Sequence, residues 1–145
     1  VKGRGRLLKR IDHVAIAVTN LDEALSQFEA LFGVRAEHRE TIAGYGVEVA
    51  TVKFGNTSIE FVEGKTPDSP TRRYVEKKGP GIHHIAFEVD DIEAALAALA
   101  AAGAGLIDES PRPGKGGSRV AFIHPKSTGR ILYELVENKP AEHRE

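Results

Sequence analysis

The chain states one pattern twice, and that repetition restricts its fold more than any other feature. Residues 13–25 read H-V-A-I-A-V-T-N-L-D-E-A-L, and residues 84–96 read H-I-A-F-E-V-D-D-I-E-A-A-L. In both, the alternating apolar run of a half-buried strand leads into a helix start. Each copy also closes on a strand that carries an acid, T-S-I-E-F-V-E around Glu60 and I-L-Y-E-L-V-E around Glu134. Histidine and acid lie 47 residues apart in the first copy and 50 in the second. A duplicated strand–helix unit predicts an α+β fold, in which two equivalent His–Glu pairs converge on one metal shared by the copies.

Composition narrows what such a site holds. There is no cysteine among the 145 residues, which removes disulfides, thiol nucleophiles and sulfur ligands, so a metal would take nitrogen and oxygen donors. A hard or borderline divalent ion is favoured. The 20 basic and 21 acidic residues give a net charge of −1, and no global field points to nucleic acid or to a membrane surface. A small-molecule partner is expected. The longest apolar stretch, residues 94–105, is rich in alanine and too short to span a bilayer; residues 2–10 are basic without a signal peptide's apolar core. A cytoplasmic location is the expectation.

Periodicity and turn residues order the elements. A strand is predicted over 11–18, then a helix capped near Asn20 with Leu21, Leu25, Phe28 and Leu31 or Phe32 on its buried stripe and Gly33 at its end. Residues 45–54 and 57–63 read as a hairpin about Gly55-Asn56. Residues 65–72, with two prolines, read as a linker, followed by a short helix over 71–78 and a break at Gly79-Pro80-Gly81. The second copy has a strand over 82–89, a helix over 91–102, a short strand at 106–107 and strands over 119–124 and 130–137. The expected domain is one, residues 11–137, built of repeats 11–64 and 82–137 with tails at 1–10 and 138–145.

Strand parity supports the pairing of sites. His13 shares a face with Ala15 and Ala17, away from Val14, Ile16 and Val18. His84, rather than His83, shares a face with Ala86 and Glu88. Glu60 lies opposite Ile59 and Phe61, again off the helix-covered face. One strand histidine is more often a hydrogen-bonded residue than a ligand. Equivalent placement in two copies favours the metal.

Three longer stretches carry a family resemblance: I-D-H-V-A at 11–15, K-G-P-G-I-H-H-I-A-F-E-V-D-D-I at 78–92, and P-R-P-G-K-G-G-S-R-V-A-F-I-H-P-K-S-T-G at 111–129. Together they resemble the vicinal oxygen chelate superfamily, whose members include glyoxalase I, extradiol dioxygenases and bleomycin-binding proteins, and within it the methylmalonyl-CoA epimerases. The resemblance implies tandem βαβββ units forming a curved, half-open mixed sheet, and metal ligands at His13, Glu60, His84 and Glu134. Glu60 stands where some members carry Gln. It further implies a divalent ion, Co²⁺ in preference to Mn²⁺, Mg²⁺, Zn²⁺ or Ni²⁺, an acyl-CoA substrate, a homodimer, and two-base epimerisation at C2 with Glu48 and Glu134 as bases.

The chemistry fits that implication. Removing the C–H proton between a thioester and a carboxylate requires stabilisation of the charge that forms, and inversion requires proton transfer on both faces. Two other readings stay open: a glyoxalase I-like isomerase or related enzyme on the same scaffold, and a non-enzymatic binding module. The glycine-rich loop 113–118 lacks the Walker spacing. It reads equally as a loop closing over substrate, with Lys115, Arg119 or Lys126 near the CoA moiety, or as an ordinary turn. The cluster Arg72, Arg73, Lys77 and Lys78 reads as a solvated helix face.

Overall fold

Two βαβββ units follow one another along the chain, in the order the repeat predicts. The computed structural model describes residues 5–140. Strand β1 (Arg10–Val18) leads to helix α1 (Leu21–Phe32), then to β2 (His38–Ile42), β3 (Val47–Phe54) and β4 (Thr57–Gly64). Helix α2 (Pro70–Lys78) joins this to β5 (Gly81–Glu88), α3 (Ile92–Ala101), β6 (Arg112–Pro113), β7 (Arg119–Ile123) and β8 (Tyr133–Glu137). The strand orders are β2-β3-β4-β1 in the first copy and β5-β8-β7-β6 in the second. By compactness the chain divides into His13–His83 and a unit of Val1–Asp12 with His84–Glu145. The ends of the two expected tails, residues 1–4 and 141–145, lie outside the described residues. No helix among the described residues is long and apolar enough to cross a membrane.

The helices start and stop where side chains satisfy their ends. Asn20 accepts from the Glu23 amide and Asp91 from the Ala94 amide, each capping a first turn. Gly33, at φ 70°, closes α1 in the left-handed conformation that glycine adopts without penalty. The two copies share a further device that periodicity did not reveal. Glu63 at the end of β4 accepts the Leu21 amide at 2.8 Å, and Glu137 at the end of β8 accepts the Ile92 amide at 3.1 Å. A carboxylate three residues beyond each site acid thus holds the helix N-terminus against the sheet, where the helix dipole favours negative charge.

Register sorts the side chains into faces. Parallel pairing sets Ala15 beside Glu60 and Ile16 beside Phe61, and antiparallel pairing sets Ala50 beside Phe61 and Thr51 beside Glu60. Ala50, Val52 and Phe61 pack with Leu21, Leu25 and Phe28 under α1. In the second copy Ala121, Ile123 and Leu135 pack with Ile92, Ala95 and Leu96 under α3. The opposite faces carry smaller clusters, Ala15 with Val47, Val49 and Val62, and Ala86 with Val120 and Val136. These small side chains surround the histidines and acids.

Several expectations change, among them the end of the α1 stripe, where Leu31 and Phe32 are both exposed, and the stretch between 107 and 119, where β6 adds a two-residue strand. Strand β2 was not foreseen, because H-R-E-T-I carries only one aliphatic side chain and sits at the end of the strand order. Residues 106–107 give only an isolated bridge, Leu106 with Ile123. The last strand starts at Tyr133 rather than at 130, because Gly129 and Arg130 both have positive φ, 65° and 72°, which extended backbone cannot accommodate. The segment 65–72 is not an open linker. Ser69 caps α2 and is 2% exposed, and a Cβ on Gly64 would lie 2.5 Å from the Arg72 nitrogen, so α2 rests directly on β4.

Candidate functional site

In the first copy, His13 and Glu60 meet. Nδ1 of His13 lies 3.3 Å from Oε2 of Glu60, with both side chains more than nine-tenths buried. Neighbouring parallel strands bring them together: Glu60 is level with Ala15, one same-face position along from His13. In the second copy, Nε2 of His84 lies 3.2 Å from Oε1 of Glu134, and both side chains are about nine-tenths buried. The registers correspond, since Ala86 is level with Glu134. Two buried imidazole–carboxylate pairs, each fixed by two strands and ringed by alanine and valine, are a donor set suited to a divalent ion with nitrogen and oxygen ligands.

The third neighbour of each pair differs. Across the β3–β4 ladder Glu60 faces Thr51, and across the β7–β8 ladder Glu134 faces Phe122. Phe122 sets its ring edge-on to His84, with centroids 5.0 Å apart at 90°. Thr51 is 1% exposed, and its hydroxyl has no hydrogen-bond partner among the described residues. A buried hydroxyl without a partner costs about 1–3 kcal/mol. Sequence reasoning passed over this residue, although the two-residue turn at Gly55-Asn56 already contained the signal. Pairing Phe54 with Thr57 and counting back sets Thr51 against Glu60.

The same register sets Glu48, expected as a base, on the other face of the sheet. It pairs with Glu63 and Thr41, on the face that packs under α1 and opposite the face of Glu60. Two carboxylates side by side on that face need cations, and they have them. Arg39 reaches Glu48 at 3.0 Å and Asp22 of α1 at 2.8 Å, while Lys65 lies 3.8 Å from Glu48 and 3.4 Å from Glu63. The hydrogen bond to Asp22, with Glu48 adding to it, holds the Arg39 guanidinium above its ordinary value. Glu48 belongs to an ion-pair network that ties β2 and β3 to the helix. It is not brought to His13 and Glu60.

Glu88 is a further acid on the His84 face, and it is already engaged. Arg10 donates to it at 2.9 Å and Asn138 at 2.6 Å, and both also reach Asp12, at 3.3 and 3.0 Å. Burial raises the Glu88 carboxyl, but the hydrogen bonds from Asn138 and Arg10 outweigh it and hold the group below its usual range. Its two oxygens are taken up by Arg10 and Asn138.

The glycine-rich segment forms a short 3₁₀ turn in which Ser118 donates to the Lys115 carbonyl at 2.8 Å. Arg119, one of the cations considered for the CoA moiety, is committed elsewhere, to Glu93 at 2.8 Å and Glu137 at 2.6 Å. On α2, Arg72 pairs with Glu76 and Lys78 lies over the Tyr74 ring, as a solvated helix face would have it.

Comparison with known proteins follows the same lines. The family description "Glyoxalase/Bleomycin resistance protein/Dioxygenase superfamily" matches residues 12–122. The mitochondrial methylmalonyl-CoA epimerase of Dictyostelium discoideum is 38% identical over 130 residues, covering 88% of this chain and 78% of that protein. The crystal structure of methylmalonyl-CoA epimerase from Mycobacterium tuberculosis superposes with a TM-score of 0.89 at 33% identity, covering 94% of this chain and 93% of the other. A methylmalonyl-CoA epimerase solved in complex with methylmalonyl-CoA and NH₄⁺ gives a TM-score of 0.86 at 34% identity, covering 90% and 95% of the two chains.

Proposed function

This chain belongs to the glyoxalase/bleomycin resistance protein/dioxygenase superfamily, and we propose that it epimerises methylmalonyl-CoA at C2, with its two His–Glu pairs serving one divalent ion. The observation that carries the reading is the duplicated geometry. His13 with Glu60 and His84 with Glu134 occupy corresponding registers and come within 3.3 and 3.2 Å, each pair buried in a face of small side chains. The likeness to methylmalonyl-CoA epimerases, one of them in complex with that thioester, supports the substrate. A homodimer and Co²⁺ as the preferred ion accompany this reading from the family resemblance, and a cytoplasmic location from the composition alone.

When bound there, a divalent ion would supply Lewis-acid stabilisation of the negative charge that develops on the thioester oxygen. His13, His84, Glu60 and Glu134 would hold it, and their burial keeps water from competing for the same charge. With Glu48 on the helix face and Glu88 held by Arg10 and Asn138, the acids left to move protons are Glu60 and Glu134, one from each copy. One carboxylate, ionised, takes the C2 proton as the C–H bond breaks. The other, protonated, returns a proton to the opposite face, and the two acids end with their protonation exchanged. Where relatives carry Gln at the position of Glu60, this division of roles has no counterpart. The acid at this position is what gives the chain a second proton-transfer group once Glu48 is set aside.

The test is solvent deuterium incorporation at C2 of a single methylmalonyl-CoA epimer, followed by NMR with metal-loaded and chelator-stripped protein. Metal-dependent exchange with inversion is expected. Absence of exchange with Co²⁺, Mn²⁺, Mg²⁺, Zn²⁺ and Ni²⁺ alike sinks the epimerase reading and brings glyoxalase-type chemistry forward.

A further inference from the structure

We propose that Thr51 is a positioning residue, whose hydroxyl donates a hydrogen bond to the Glu60 carboxylate when that carboxylate serves a bound divalent ion. The inference rests on the metal reading above and adds a residue that no motif singles out. Its basis is a conjunction of burial, register and chemistry within the first copy. Thr51 is 1% exposed, and its Oγ1 has no hydrogen-bond partner among the described residues. It is directly opposite Glu60 in the β3–β4 ladder, which puts the two side chains on one face at the close spacing of a cross-strand pair. The other buried members of that face on β3 are Val47 and Val49, with Lys53 exposed at its end. Valine has the shape of threonine without the hydroxyl, so packing alone gives no reason for an oxygen at this position.

Metal binding supplies the reason. Without an ion, the Glu60 carboxylate lies against the His13 ring nitrogen at 3.3 Å. When both groups turn their lone pairs to a cation, that contact is no longer available to fix the carboxylate. An oxygen ligand is oriented by its outer partners, and a neutral hydroxyl one strand away is a donor that adds no charge. Thr51 therefore sets the orientation of Glu60 without competing for the cation. The second copy has no equivalent. Phe122 occupies the corresponding position and lies edge-on to His84, so that half is oriented by packing on its histidine rather than by a donor to its acid.

The experiment uses the whole chain, stripped of metal and titrated with Co²⁺ while the visible absorption of the bound ion is followed, alongside thermal unfolding of each stripped protein. Thr51→Val is expected to weaken Co²⁺ binding about 10- to 100-fold. The stripped variant should melt at or above the wild-type temperature, because it loses a buried hydroxyl and keeps the shape. Thr51→Ser keeps the hydroxyl and is expected to bind Co²⁺ as wild type does. Wild-type affinity in Thr51→Val overturns the proposal. So does weakened binding accompanied by a lowered melting temperature that Thr51→Ser shares, since that pattern belongs to packing. If the wild-type chain itself takes up no Co²⁺, the metal reading fails first and the role of Thr51 falls with it, a result distinct from either of the others.

Discussion

The two copies place a histidine and a carboxylate by the same strand geometry and then surround them differently. In the first, the acid Glu60 faces the hydroxyl of Thr51; in the second, the acid Glu134 faces the ring of Phe122, which packs on His84. The surrounding charge also differs. Behind the first pair, Glu48 occupies the helix face and is matched by Arg39 and Lys65. In the corresponding position of the second copy stands Arg119, paired to Glu137. The two copies thus share what the backbone does, which is to set a histidine beside a carboxylate and hold a helix by a strand-end carboxylate, and differ in the outer neighbours.

That contrast can be broken by experiment. The largest effect is expected from the acids themselves. Glu134→Gln and Glu60→Gln each retain an oxygen donor, so metal content should persist, while epimerisation falls about 10²- to 10⁴-fold. The loss should be complementary: each variant continues to exchange the C2 proton of one epimer and not of the other, because one carboxylate survives on one face. Loss of exchange for the same epimer in both variants would remove the division of roles. Single-epimer deuterium exchange is the measurement.

A smaller effect, on stability, is expected at Glu88. Its folded value lies below the ordinary 4.5, so the stability it contributes is fully present above about pH 4.5 and is lost as pH falls through the lowered folded value. Glu88→Gln should cost about 2 kcal/mol near neutral pH, the scale of hydrogen bonds to a charged group. Denaturation curves of the two proteins should converge in acid. A difference that does not change with pH would show that Glu88 acts through packing and not as an anion.

The smallest effect is expected at Glu48. Its partners are partly exposed, and Glu48→Gln should change stability by less than about 1 kcal/mol and leave turnover as it was. A drop of the size expected for Glu134→Gln would restore Glu48 as a base and contradict the register described here.

Much of the site was legible because its signals are local. His13 and His84 open copies of one motif, and Glu60 and Glu134 close them. Period-two alternation is enough to place His13, His84 and Glu60 on the face away from the helix, whereas Glu134, which alternates with Leu132 and Val136, is placed there by its pairing with Ala86. For Glu48 the resemblance supplies a role without a face. Alternation with Ala50 and Val52 already put it on the helix side, and the hairpin count from Gly55-Asn56 pairs it with Glu63. Other features had no local signal. Arg10 and Asp12 meet Glu88 and Asn138 across 78 and 126 residues of sequence, and a network of that span follows only from how strands are ordered.

The sequence by itself determined the repeat, the strand–helix order, the histidine and carboxylate in each copy and the parity of His13, His84 and Glu60, all of which depend on neighbours a few residues apart. The tertiary structure decided which strands lie side by side, and through them that Glu60 meets His13 and Thr51, that Glu134 meets His84 and Phe122, and that Glu48 meets Arg39 rather than the site. Pairing between strands is set by packing and by ladder hydrogen bonds over long separations, and only a folded sheet specifies which carboxylate faces which neighbour.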